Sequence, residues 1–181
     1  NSYLFSTILT WNEEILNSCS NAVLFTCNYQ QDFIDYYNLF ENKNKNFEVS
    51  FLSGTKNLVE GHKLRQEIYK IKDQIHIPKK WYYVLEDYDQ KNQARPGYEN
   101  YGKDLSHIPS NIDPIGYGKR TLYEDSMFNI VIENVKHKNW YNKIGDNFLT
   151  KTVPIYWGCP NLEELGYNPD GFIYCKNEDQ I

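Results

Sequence analysis

Two basic side chains far apart in the chain, Arg65 and Lys143, have the type and the setting to act together. Each follows an apolar, strand-like run and lies at or near the start of a helical stretch. FEVSFL (47–52) precedes GHKLRQEIYKI (61–71), and FNIVI (128–132) precedes a short helix expected after Lys143. At such a place the Lys143 ammonium and the free backbone N–H groups of the helix can converge on an anion such as a diphosphate. Cleavage of a sugar–diphosphate bond leaves negative charge on the departing group, which calls for a divalent metal or fixed basic side chains. The plainer readings are a solvated helix-end lysine at 143, unfavourable against the helix dipole, and a surface pairing of Arg65 with Glu67 or Asp73. Glu133 and Asn134 directly follow the most apolar run, where a carboxylate can accept from ribose or sugar hydroxyls and an amide can bridge a base; an Asx turn is the alternative. Asp87 and Asp89, after WYYVL (81–85), form a D-x-D pair that could share a hard cation.

Positioning these groups requires a sheet. The stretch 128–158 runs apolar strand, polar loop, short helix, then a second apolar run, VPIYWG (153–158). That is a βαβ unit, and 47–71 begins another, so the chain predicts an α/β, Rossmann-like parallel sheet flanked by helices, with ligands beyond the carboxyl ends of its strands. Leu64, Ile68 and Ile71 give the upstream helix its apolar face. Before residue 47 the pattern is shorter: a strand at 3–9, an Asn12-capped turn of helix to Leu16, a strand at 21–25, then a polar and aromatic stretch ending in ENKNKN. Residues 90–118 are rich in Gly, Pro, Asn and Tyr and read as a long binding loop or flap. Gly158 and its flanking prolines, Pro154 and Pro160, punctuate a strand end.

Composition narrows the field. The 181 residues carry a formal charge of −5, and the lysines form no stripe, which argues against nucleic acid as a partner. No apolar run approaches the roughly 20 residues of a membrane span. The start lacks a signal peptide's basic flank and cleavage site, and the absence of an initiator methionine points to a fragment. Cys19, Cys27, Cys159 and Cys175 have no metal-binding spacing and read as reduced thiols, giving a cytoplasmic expectation. His62, His76, His107 and His137 show no partner spacing and read as surface residues.

In its motifs the chain resembles the donor-binding domain of family-10 glycosyltransferases, the α1,3/1,4-fucosyltransferases and their microbial and viral relatives. The resemblance rests on Phe128-Asn129-Ile130-Val131-Ile132-Glu133-Asn134, on Lys143-Ile144, on Val153-Pro154-Ile155-Tyr156-Trp157-Gly158, and on Asp170-Gly171-Phe172-Ile173. Upstream, Val49-Ser50-Phe51-Leu52-Ser53 followed by Leu64-Arg65 is similar to the family's strand, serine and arginine-bearing helix. It extends from about residue 47 to the end. It departs at Tyr141-Asn142-Lys143, where the family has Thr-Glu-Lys, and at Val135 in place of Ser; either Trp140 or Tyr141 stands for the family tyrosine.

The resemblance implies a GT-B arrangement of two Rossmann-like domains. Residues 1–46 would then be the closing segment of an acceptor-type domain plus linker, and residues 47–181 the nucleotide-sugar domain. It further implies a glycosyltransferase that moves fucose from GDP-fucose to a glycan acceptor with inversion, without an essential metal or other cofactor. Arg65 and Lys143 would contact the donor diphosphate, with Asn134, Glu133, Asn142, Tyr141 and Ser53 around the same pocket; no general base is assigned. Two rivals stand beside it: a metal-dependent GT-A-like enzyme using Asp87 and Asp89, and a non-catalytic nucleotide- or glycan-binding module.

Overall fold

Five runs of largely apolar sequence join in one parallel sheet of the protein, seen here in a computed structural model that describes residues 4–26, 44–54, 56–84, 120, 122 and 124–177. In chain order its strands are β3 (Asn46–Gly54), β4 (Lys79–Val84), β5 (Ser126–Ile132), β6 (Val153–Trp157) and β7 (Ile173–Tyr174), arranged β4-β3-β5-β6-β7. Strands β1 (Ile8–Thr10) and β2 (Ala22–Leu24) form a separate parallel pair. Helix α2 (Glu60–Ile71) connects β3 to β4, and the short α3 (Ile144–Leu149) connects β5 to β6. The expected mixed α/β, Rossmann-like sheet is therefore present.

β5 is buried along most of its length, as a central parallel strand with both faces covered must be. Its alternate residues serve opposite layers. Ile130 and Ile132 join Val49, Phe51 and Trp157 in packing against Leu64 and Ile68 of α2. Val131 and Tyr156 turn the other way, into a cluster with Ile144, Leu162 and Phe172 on the α3 side. The buried stripe of α2 is Gly61, Leu64, Arg65 and Ile68, the spacing of one helical face, with an arginine where an aliphatic residue would be expected. Because α2 and α3 cover opposite faces, and the chain steps from β3 out to β4 and then back past β3 to β5, the sheet's switch point lies between the carboxyl ends of β3 and β5. Such points open a crevice.

Two close approaches shape that crevice. A Cβ at residue 61 would sit 1.7 Å from the Glu133 carbonyl oxygen, so only glycine lets α2 touch the end of β5, where the Gly61 N–H donates to the Asn134 carbonyl at 3.0 Å. A Cβ at residue 158 would meet the Glu133 Cγ at 2.4 Å, so Gly158 makes room for that side chain behind the strand ends.

Elsewhere several charged side chains are paired. Arg120 Nε and Asp146 Oδ1 lie 3.0 Å apart, both nearly fully buried. Lys80 pairs with Glu48 at 2.7 Å, and the Ser126 hydroxyl donates to the same Glu48 oxygen at 3.0 Å. Lys45 donates to the carbonyls of Glu124 and Thr150 and, at 3.0 Å, to the Thr152 hydroxyl.

The amino-terminal unit is smaller. Helix α1 (Glu13–Ser18) links β1 to β2 and is capped by Asn12, whose side chain accepts from the Ile15 N–H at 3.2 Å, as its sequence leads one to expect. The strand expected at 3–9 is shorter and later, at Ile8–Thr10. The unit meets the main sheet through Glu13–Lys138 (2.9 Å) and through Trp11, whose ring contacts those of His137 and Trp140. No helix among the described residues is long and apolar enough to cross a membrane. Cys19, Cys159 and Cys175 are free thiols. The D-x-D pair and the long polar stretch at 90–118 lie outside the described residues.

Candidate functional site

A cleft of about 280 Å³ opens at the switch point, bounded by Leu52, Ser53 and Gly54 of β3 and by Ile132 and Asn134 at the end of β5. Its floor is polar. The Asn129 amide donates to Asn147 Oδ1 at 2.7 Å and its own oxygen lies 3.1 Å from the Ser50 hydroxyl, while the Asn147 amide donates to the Lys143 carbonyl at 3.1 Å. Four side chains of basic type line the cleft: Lys56, His62, Arg65 and Lys143. No carboxylate does so among the described residues. In a chain of formal charge −5, that described lining is one-sidedly basic in type.

Arg65 is held in place rather than solvated. Its guanidinium donates to the Ile132 carbonyl at 2.6 Å and to Asn134 Oδ1 at 2.8 Å, so α2 is tied to the end of β5 through the residue that faces the cleft. Burial lowers its pKa to about 10, with the Glu133 charge acting in the opposite direction, and the group stays protonated at neutral pH. The surface pairings open to it are taken up elsewhere: Glu67 binds Lys70 at 2.7 Å and Asp73 lies 3.9 Å from Lys79.

Glu133 lies beneath this surface at 1 % exposure. Its Oε1 accepts from the backbone N–H groups of Asn142 and Lys143, both at 2.8 Å, and from the Tyr156 hydroxyl at 3.4 Å. The carboxylate thus lies against the turn that leads into α3, a favourable place for a negative charge. At α2, the Gly61 N–H is given to Asn134 and those of His62 and Lys63 to the Val59 carbonyl. Burial and the neighbouring Glu133 also raise the pKa of Tyr156, which keeps its proton and accepts from the Cys159 N–H at 2.9 Å.

Of the residues expected at one site, Arg65, Lys143, Asn134 and Ser53 line the cleft together. Glu133 lies behind it as an internal cap. Asn142 is exposed and contributes its backbone N–H to that cap. Tyr141 packs edge-on against Tyr167, and its hydroxyl lies 3.5 Å from that of Thr26. His62, expected at the surface, is instead 8 % exposed in the first turn of α2 and lines the cleft. Lys56, Asn129 and Asn147 also belong there without having been singled out. Two signals pointed to them: His62 precedes Arg65 by one helical turn, and Asn129 is a polar residue inside an apolar strand.

No protein-family model, no curated protein and no solved structure matches this chain.

Proposed function

We propose that the chain is the nucleotide-sugar-binding part of a GT-B glycosyltransferase, moving fucose from GDP-fucose to a glycan acceptor with inversion and without an essential metal. One observation carries this reading: Arg65 from the first crossover and Lys143 from the second line a single cleft at the sheet's switch point, with no carboxylate among its described lining residues. Two cations there would neutralise the diphosphate as it leaves the sugar, a stabilisation that grows in the transition state. The amides of Asn129, Asn134 and Asn147 would meet hydroxyl and base edges.

A second reading, a module that binds a nucleotide sugar without turning it over, is favoured by one feature. No carboxylate among the lining residues can serve as general base. Thermal-shift measurements against GDP, UDP, CMP and their sugars test the binding claim, since a ligand of the native state raises the melting temperature. A response to guanine nucleotides alone supports the GDP-fucose reading; no response to any nucleotide removes it. Product analysis with GDP-fucose and N-acetyllactosamine then separates enzyme from module. Repeating the binding in EDTA tests the metal-dependent alternative built on Asp87 and Asp89, which requires binding to vanish.

A further inference from the structure

The diphosphate reading uses Arg65 and Lys143 and leaves one wall of the cleft without a task. That wall is formed by the end of β3, the β3–α2 connection and the first turn of α2, which bring Ser53, Lys56 and His62 to the same space. Ser53 is 4 % exposed, and its hydroxyl has no hydrogen-bond partner among the described residues. A buried hydroxyl left unpaired costs free energy, so a serine at this strand end makes physical sense when something in the cleft completes it. His62 is oriented: its Nδ1 accepts from the Leu58 N–H at 3.3 Å, which places the proton of the neutral ring on Nε2. Gln66, one turn on, donates to the Gly54 carbonyl and ties this end of α2 to the end of β3.

We propose that Ser53, Lys56 and His62 form a second phosphate position, beside the one served by Arg65 and Lys143, so that the cleft takes two linked phosphates and grips a free nucleoside diphosphate more tightly than its monophosphate or its sugar ester. This rests on the reading of the cleft as a nucleotide-diphosphate site. Joining a sugar to the terminal phosphate removes one ionisable oxygen, and with it one charge for the second wall to meet. A monophosphate reaches only one wall.

The test uses the full chain and three variants, Lys56→Met, His62→Asn and Ser53→Ala, titrated calorimetrically with GDP, GMP and inorganic pyrophosphate. Asparagine at 62 keeps an acceptor for the Leu58 N–H while removing the ring. Lys56→Met and His62→Asn should each weaken GDP and pyrophosphate binding about tenfold, and GMP by less than about twofold. Ser53→Ala should weaken GDP about threefold and melt no lower than the parent, because it removes an unpartnered hydroxyl. Unchanged GDP affinity in Lys56→Met and His62→Asn overturns the second position, and if Lys143→Ala still loses GDP, the diphosphate reading survives it. Equal weakening of GMP and GDP also overturns the proposal, since the wall would then read a single phosphate. A parent chain that binds neither GDP nor pyrophosphate overturns both.

Discussion

Charged side chains outside the cleft include two close pairs, Glu48 of β3 with Lys80 of β4 and Arg120 with Asp146 of α3, whereas Lys56, His62, Arg65 and Lys143 line a cleft at the carboxyl end that no carboxylate shares among the described residues. Glu133 lies close to this end, but its side chain is turned inward onto the backbone N–H groups of Asn142 and Lys143. The two settings face different demands. Strands entering the sheet need only be anchored, and matched charges with hydrogen bonds to Lys45, Ser126 and Thr152 do that. Strands leaving it converge on a crevice whose described lining carries basic side chains and no carboxylate, a setting that suits an anionic ligand.

Breaking a matched pair should have the largest effect. Asp146→Ala removes the carboxylate 3.0 Å from the buried Arg120 guanidinium, and unfolding in urea should show a loss of about 3–5 kcal/mol. A loss below about 1 kcal/mol would mean the pair does not hold α3 in place.

Alkaline pH should come next, because several groups respond together. Burial raises the pKa of Tyr156, Tyr167 and Tyr174 above the ordinary 10.0 and of Cys159 and Cys175 above 9.0. The native state holds these protons more tightly than the unfolded chain. Their contribution is therefore fully present below pH 9 and is lost as pH rises past 9 to 10. Arg65, lowered from 12.5 to about 10, has the opposite sign in that window and offsets part of the loss. Chemical denaturation at stepped pH should give a midpoint flat from neutrality to about 9 and falling above it; a rising midpoint would contradict the burial of these groups.

Gly61→Ala probes the carboxyl end through its backbone. A Cβ 1.7 Å from the Glu133 carbonyl forces α2 away from β5, with a cost of about 2–3 kcal/mol and, because Arg65 moves with the helix, a loss of GDP affinity. Gly145→Ala, where a Cβ meets nothing within 4 Å, is the matched control. Smallest in stability is Lys143→Ala, expected within about 0.5 kcal/mol of the parent while weakening GDP at least about tenfold. Stability lost without affinity would reverse the assignment of the two settings.

Much of this organisation was readable beforehand. FEVSFL, FNIVI and VPIYW carry the continuous apolar character of strands covered on both faces, and each became a sheet strand. The periodic helix expected at 61–71 is α2, begun one residue earlier at Glu60. The meeting of Arg65 with Lys143 followed from two crossovers ending at one edge. Other features had no local signature. Nothing near Glu133 announces that its carboxylate reaches the N–H groups of Asn142 and Lys143, since that contact depends on how the loop returns and on the space left by Gly158. His62 looks like any polar residue in a first turn. Its burial follows from Gly61 drawing that turn onto β5, a tertiary contact no periodicity encodes.

The chain contains three arginines, Arg65, Arg95 and Arg120, so a ¹⁵N spectrum of arginine Nε–H groups has at most three signals to follow during a titration with GDP. At saturation the Arg65 signal should move further than that of Arg120, which is bound to Asp146 and lies outside the cleft lining. GDP bound with Arg65 unmoved, or with Arg120 shifting as far as Arg65, would contradict a ligand seated at the carboxyl end.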